Sequence, residues 1–324
     1  MGPSGCGKTT LLNVLASRPT GARKVEGTVL VNGGKPSRGA FREMSRFVEQ
    51  DDALIGSLTV RETLHFASRL ASTSSLPRRE RIARIDGLLD SFGLRDQAGT
   101  LIGTPIRKGI SGGQKRRVGV ASQLITSPKI LFLDEPTSGL DSAASWEVVN
   151  YLKGVAKRNN LIVIASIHQP STAVFNLFDK LLLLSAGKPH YFGPVSGVSA
   201  HYESLGHQVP LHVNPAEFLL ELVNIDFSSN RDSASGHLDE MHASWMSSSR
   251  AAVVSALVDE VEKNGDREVA FAAAEKKPSM PSLVVTLLHR SFIKSHRDVV
   301  AYGIRFAMYI GESPRSSLVP RGFR

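Results

Sequence analysis

The sequence predicts an α/β fold: a parallel sheet with helices packed on it and a phosphate site at its strand ends. The first observation is Gly2-Pro-Ser-Gly-Cys-Gly-Lys-Thr9, which matches the phosphate-loop pattern GxxxxGK[ST] at every fixed position and runs into an apolar helical stretch, Leu11 to Ala16. The second is an apolar run, Ile130 to Leu133, ending in two adjacent acids, Asp134 and Glu135. Such a run reads as a buried parallel strand, and open α/β sheets hold ligands beyond the carboxyl ends of their strands. The third is the turn Ser111-Gly112-Gly113, which opens a helical pattern from Gln114 to Ile125 that Pro128 stops. A glycine-rich helix start leaves backbone N–H groups aimed outward, which suits a phosphate.

The residue types suit phosphate chemistry. Glycines let the Gly2–Thr9 loop turn its N–H groups around a phosphate, Lys8 adds positive charge, and the Thr9 hydroxyl can ligate Mg²⁺. Neighbouring acids on a strand end point to different sides. One of Asp134 and Glu135 therefore suits a hard cation, and the other suits orienting a water for attack on phosphorus.

The chain has 324 residues, enough for one large α/β domain with an extension, and its 41% apolar content supplies a core. The net charge is +9, from 39 basic and 30 acidic residues, and no block of five or six like charges occurs. This balance fits nucleic acid, an anionic membrane surface or nucleotide phosphates. From His289 onward seven Lys/Arg stand against two acids, which fits a cytoplasmic membrane face better than a DNA groove. Cys6 is the single cysteine, so no intrachain disulfide forms, as expected in a reducing compartment. No N-terminal signal pattern and no run of 18 apolar residues is present, so no complete membrane span is expected.

In chain order, the start is unusual: a phosphate loop is fed by a strand, and Met1 stands directly before the first loop glycine. The expectation is a fragment without that central strand. Lys24 to Val31 alternates into the turn Asn32-Gly33-Gly34 as a strand would, and Arg46 to Gln50 reads as a short strand. Thr59-x-x-Glu62 is a capping box opening a helix from Val60 to Leu70. After a loop at 72–77, Arg78 to Phe92 is an amphipathic helix whose arginines 78, 79, 81 and 84 read as a solvated face. Asp141 sits as an N-cap before a helix from Ser142 to Ala156, and Leu161 to Ile167 is an apolar strand leading to His168. Leu181 to Leu184 makes a last strand, turned by Ala186-Gly187. Phe227 to Ser249 is Ser-rich and reads as a flexible linker, Arg250 to Val261 as a helix. Ser282 to Phe292 is apolar with flanking bases, and Asp298 to Ile310 is half-apolar. The final residues include Leu-Val-Pro-Arg-Gly, similar to a protease-cleavage scar.

The ordered motifs, the phosphate loop, ISGGQ, ILFLDE, SGLD and a later His168, resemble those of ATP-binding cassette (ABC) nucleotide-binding domains. GPSGCGKTTLLNVLA, VEQDD, SLTVRETLHFASRL, LDEPTSGLDS and SIHQPS are similar to subfamily G, the white/pigment type. The resemblance implies a P-loop NTPase fold with a helical subdomain at about 59–127 and a helical C-terminal extension. It implies an ATP-binding domain at 1–226, a Ser-rich linker and helix at 227–281, and a connecting helix with the start of a first transmembrane helix at 282–310. Residues 311–324 form a tail outside the family pattern.

The resemblance also implies the site. Gly2, Ser4, Gly5, Cys6, Gly7, Lys8, Thr9 and Thr10 hold ATP, with Thr9, Gln50 and Asp134 around Mg²⁺. Glu135 polarises the attacking water, Gln50 reaches water and metal, and His168 holds the γ-phosphate. Ser111, Gly112, Gly113, Gln114 and Asp141 face the opposite subunit of a head-to-tail dimer, homo- or heteromeric. The expected partners are that second nucleotide-binding domain, a transmembrane domain not fully present in this sequence, and a membrane, with the ATPase on its cytoplasmic face. The expected work is export of a lipid or other hydrophobic compound. Two other readings stand beside it. One is a non-catalytic fragment unable to bind ATP alone. The other, a nucleic-acid-linked ABC ATPase, rests only on the charge, and the 61 positions from Gln50 to Ser111 are too few for a long coiled coil. No nucleic acid is expected.

Overall fold

The computed structural model describes residues 1–21, 24–50, 53–71, 76–104, 106–224, 231–264, 278–297, 303, 308 and 309. Three strands, β1 (Ser45–Val48), β2 (Ile130–Leu133) and β3 (Ile162–Ala165), form a parallel sheet in the order β1-β2-β3, with Val48 level with Leu133 and Leu133 with Ala165. The central strand β2 is buried at every position because its side chains alternate between two helical layers. Ile130 and Phe132 meet Leu12 of α1 (Lys8–Leu15) and Phe41 of α2 (Arg38–Met44). Leu131 and Leu133 face the larger core, built on α3 (Val60–Leu70), α4 (Arg78–Ser91), α5 (Gly112–Leu124) and α6 (Ser142–Asn159).

The helices start where the sequence places caps. Thr59 and Glu62 make both bonds of a capping box at α3, and Ser111 and Gln114 make the same pair at α5. Asp141 Oδ1 accepts from Ala144 N–H at 2.7 Å to open α6, which runs on to Asn159, past the expected end at Ala156. Of the basic run Lys115-Arg116-Arg117, Arg116 and Arg117 are buried. Helix α5 is enclosed by its neighbours, so these guanidinium groups donate to carbonyls instead of water: Arg116 to Glu49 O and Arg117 to Phe92 O, each at 3.2 Å.

A second lobe follows the sheet. It comprises α7 (Thr172–Phe175), the hairpin of β4 (Lys180–Ser185) and β5 (Lys188–Pro194), and then α8 (Val198–Ser204) and α9 (Pro215–Val223). The hairpin closes on Ala186 and Gly187, both left-handed at φ 47° and 75°, the turn that matches strand twist. Strand β5 was not anticipated. Helix α10 (Arg231–Met246) packs on it, followed by α11 (Ser249–Asn264) and α12 (Met280–Arg297). The linker expected at 227–249 is thus a helix from Arg231, held because Leu238, Met241 and Trp245 share one face and bury it against Tyr191 and Tyr202.

One further expectation parts from the structure. Residues 24–30 form no strand; they lie largely exposed with no partner strand, and only Val31 and Gly34 bridge across the Asn32-Gly33 turn. Between β3 and β4 an apolar groove of about 490 Å³ runs beside Ile162, Ile164, Leu182 and Phe192. Met1 lies in it, donating from its ammonium to Leu182 O at 2.7 Å and accepting from Leu184 N–H at 2.9 Å, the pattern of a parallel ladder. Among the described residues no helix is long and apolar enough to cross a membrane. The loop at 72–75, most of Asp298 to Ile310 and the tail at 311–324 lie outside the described residues.

Candidate functional site

The phosphate loop is shaped by its glycines. Gly5 and Gly7 are left-handed at φ 74° and 98°, and Gly7 opens α1 with no side-chain cap, so the first-turn N–H groups stay available to an anion. At Gly2 a Cβ would lie 2.1 Å from Leu184 O and 2.6 Å from Cys6 Sγ, so only glycine passes. Cys6 is buried as loop filler, while Ser4, Gly5, Thr9 and Thr10 are exposed. Lys8 Nζ curls onto its own loop, donating to Gly2 O at 2.9 Å and Pro3 O at 2.8 Å.

A series of hydrogen bonds joins this loop to the strand ends. Thr9 Oγ1 donates to Asp134 Oδ1 at 3.1 Å, and Ser166 Oγ donates to the same oxygen at 2.6 Å. Ser166 Oγ in turn accepts from Glu135 N–H at 2.9 Å, which steadies a residue held left-handed at φ 45°. Gln50 Nε2 donates to Glu135 Oε2 at 3.0 Å. His168 and Glu135 line one polar cavity of about 280 Å³ with Ser138, Gly139 and Ser142. Three ends of adjacent parallel strands thus deliver Gln50, then Asp134 and Glu135, then Ser166 and His168 to one place.

Ser166 was not among the residues singled out, although it lies in SIHQPS. Its signal is the register: Leu133 pairs with Ala165, which sets Ser166 beside Asp134.

The remaining predicted residues form a second group. Ser111 and Gly112 are exposed at the start of α5, Gln114 completes the capping box, and Asp141 caps α6. Gly113 lies where a Cβ would come 3.1 Å from that of Ala144, so the two helix starts abut closely.

A hydroxyl (Thr9), a carboxylate (Asp134) and an amide carbonyl (Gln50) are hard oxygen donors of the kind Mg²⁺ takes, and the glycine-shaped loop fits a phosphate. The residues fit both.

The sequence matches the profile of the family described as ABC transporter over residues 1–138 and that described as ABC-2 type transporter over 168–301. It is 39% identical to ABC transporter G family member 1 of Petunia hybrida over 96% of this chain and 49% of the relative. ABC transporter G family member 11 of Arabidopsis thaliana is also 39% identical, over 96% of this chain and 46% of the relative. The chain thus spans about half the length of these relatives. Among solved structures, cbiO1 from Clostridium perfringens, part of the ABC transporter complex cbiONQ, superposes with a TM-score of 0.52 at 26% identity, covering 64% of this chain and 80% of that one. Loop, strand-end acids and extension agree with both matched profiles, and the chain belongs to the G family of ABC transporters.

Proposed function

We propose that this chain is the ATP-binding and ATP-hydrolysing part of a G-family exporter, working on the cytoplasmic face of a membrane. The observation that supports it best is the hydrogen-bonded series Thr9–Asp134–Ser166–Glu135–Gln50, which ties the phosphate loop to both acids. ATP phosphates would lie against the amides of Gly2 and of Ser4 to Thr10, and the Lys8 ammonium exchanges its loop carbonyls for phosphate oxygens. Thr9, Asp134 and Gln50 would hold Mg²⁺, which when bound would neutralise charge developing on the phosphates. Glu135 accepts the proton of the attacking water as the bond from that oxygen to phosphorus forms and the bond to the ADP oxygen breaks. His168, across the shared cavity, holds the γ-phosphate by a hydrogen bond.

Ser111 and Gly112, exposed at the start of α5, together with Gly113, Gln114 and Asp141, serve an ATP bound by a second nucleotide-binding domain. The working unit is then a head-to-tail dimer that closes on ATP and opens after hydrolysis. Transmembrane helices convert that cycle into export of a lipid or other hydrophobic compound, and α12 leads toward them with its outer face to the membrane.

The test is Glu135→Gln protein sized by light scattering with and without MgATP. The expected result is twice the mass with ATP, bound nucleotide in the dimer, and hydrolysis lowered at least about 100-fold. Unchanged hydrolysis would remove Glu135 from its role. A monomer eluting without nucleotide would overturn the ATPase reading of this chain.

A further inference from the structure

The turn that carries His168 is held in a backbone shape that its own sequence resists. Gln169, directly after it, is left-handed at φ 43°, a region uncommon for a residue with a Cβ. The next residue is Pro170, whose ring pushes the residue before it toward extended backbone. Both effects oppose the observed conformation, so contacts from outside the turn have to hold it.

The two ends of the turn are fixed locally. Ser166 and Ile167 are buried after β3, and Ser171 Oγ accepts from Val174 N–H at 3.4 Å to open α7. The middle is fixed from the second lobe. Asn214 Nδ2 donates to Pro170 O at 2.8 Å, while Asn214 Oδ1 accepts the Ala216 N–H at 3.1 Å and so caps α9. The amide has one orientation here, since the Ala216 N–H needs an acceptor and Pro170 O needs a donor. Behind it, Phe175 of α7 shares a core with Ala216 and Leu219 of α9, so the capped end of α9 is a packed support. On its other side the turn opens on the polar cavity that His168, Gln169 and Ser171 line together with Glu135.

We propose that Asn214 is a positioning residue for His168: its amide straps Pro170 and keeps the left-handed turn that presents His168 to the cavity beside Glu135. The proposal rests on the reading of His168 as the group that holds the γ-phosphate, and it adds the residue that sets His168 in place. Asn214 does not line the cavity and acts through the backbone of Gln169 and Pro170. Capping α9 would be served as well by aspartate or serine; an amide serves the cap and the carbonyl together.

Asn214→Asp is therefore the discriminating change, because it keeps the cap and sets an acceptor where Pro170 O needs a donor. In the full chain without nucleotide, amide hydrogen exchange should quicken at 167–171 and stay unchanged along α9. With MgATP, kcat should fall about five-fold, and the ratio of ATP to ADP affinity about three-fold, since the γ-phosphate is what ADP lacks. His168→Ala should lower both at least as far, and the double variant should match His168→Ala within about two-fold. Losses that multiply in the double variant would mean that Asn214 acts on something other than His168, and overturn the proposal. Unchanged exchange at 167–171 overturns the strap, and so does a wild-type kcat beside quickened exchange. Should Asn214→Asp loosen α9, Asn214→Ser keeps a cap without placing a charge against Pro170 O and gives the same three readings. Wild-type values in His168→Ala overturn the γ-phosphate reading and the proposal with it. A loss in His168→Ala with wild-type values in Asn214→Asp overturns the proposal alone.

Discussion

At the scale of single residues, Ser166 decides how well the two acids are held. Its hydroxyl donates to Asp134 and accepts the Glu135 N–H, while Glu135 is held at φ 45°, a conformation that is costly for a side-chain-bearing residue. Removing the hydroxyl leaves a buried carboxylate short of a donor and frees the Glu135 backbone to relax. Ser166→Ala should therefore cost about 2 kcal/mol of stability and lower kcat about 10-fold, with KM for ATP within about two-fold. Steady-state kinetics beside a denaturant titration check this, and a wild-type kcat would show that Ser166 positions nothing. The residue was invisible in the sequence for a physical reason. A serine near a strand end has many ordinary uses, and only the register of β2 against β3 sets this one between the acids. Glu135, Asp134 and Lys8 were legible because each belongs to a pattern whose spacing is itself the chemistry.

At the scale of elements, α3 and α12 are joined through one carboxylate. Glu62 Oε2 accepts the Thr59 N–H at 2.9 Å, closing the capping box, and both oxygens take Arg297, at 2.6 Å and 2.9 Å. Burial pushes the Glu62 carboxyl up, but the bonds from Arg297 and Thr59 outweigh it and hold the group below its ordinary value. A depressed carboxylate contributes stability that is present above the unfolded value of about 4.3 and is lost as pH falls through the folded value. The clasp should hold at neutral pH and release in acid below about pH 4. Glu62→Gln keeps an acceptor for the cap and loses the ion pair. A double-mutant cycle with Arg297→Gln should give a coupling of about 1 kcal/mol, given the partly exposed pair. Coupling near zero would mean that α12 is held by its other contacts. The cap was legible because Thr59 and Glu62 are local; its second partner was not, because Arg297 lies 235 positions away. Helix α10 shows the opposite failure. Leu238, Met241 and Trp245 stand at helical spacing, but the surrounding serines hid a face that only β5 reveals.

At the scale of the whole molecule the chain divides its burial among separate cores, and their sensitivities to acid differ. The residues proposed to bind nucleotide sit on the β2 cores, while α10 closes a different one against β5. That second core buries histidines. His190 and His201 are 2% and 6% exposed, the His190 and His242 rings lie 5.9 Å apart, and His201 meets Trp245 at 5.5 Å. Burial first holds both below the ordinary histidine value; at His190 the Ser185 backbone and Asp239 oppose it while His242 and Lys188 add to it, and at His201 Arg250 adds to it. His201 Nε2 has no hydrogen-bond partner among the described residues, so a proton there gains nothing to offset it. A depressed base contributes stability that is complete above its unfolded value of about 6.5 and is lost as pH falls through the folded value. Acid should therefore loosen α10 from β5 before it disturbs the sheet. Trp245, 3% exposed, reports this directly once Trp146 is changed to Phe. Its emission should shift to the red below about pH 6 while ATP still binds, and His201→Phe should move that shift to lower pH. A red shift that coincides with loss of ATP binding would mean that the two cores melt as one, and the division of the molecule would have to be redrawn.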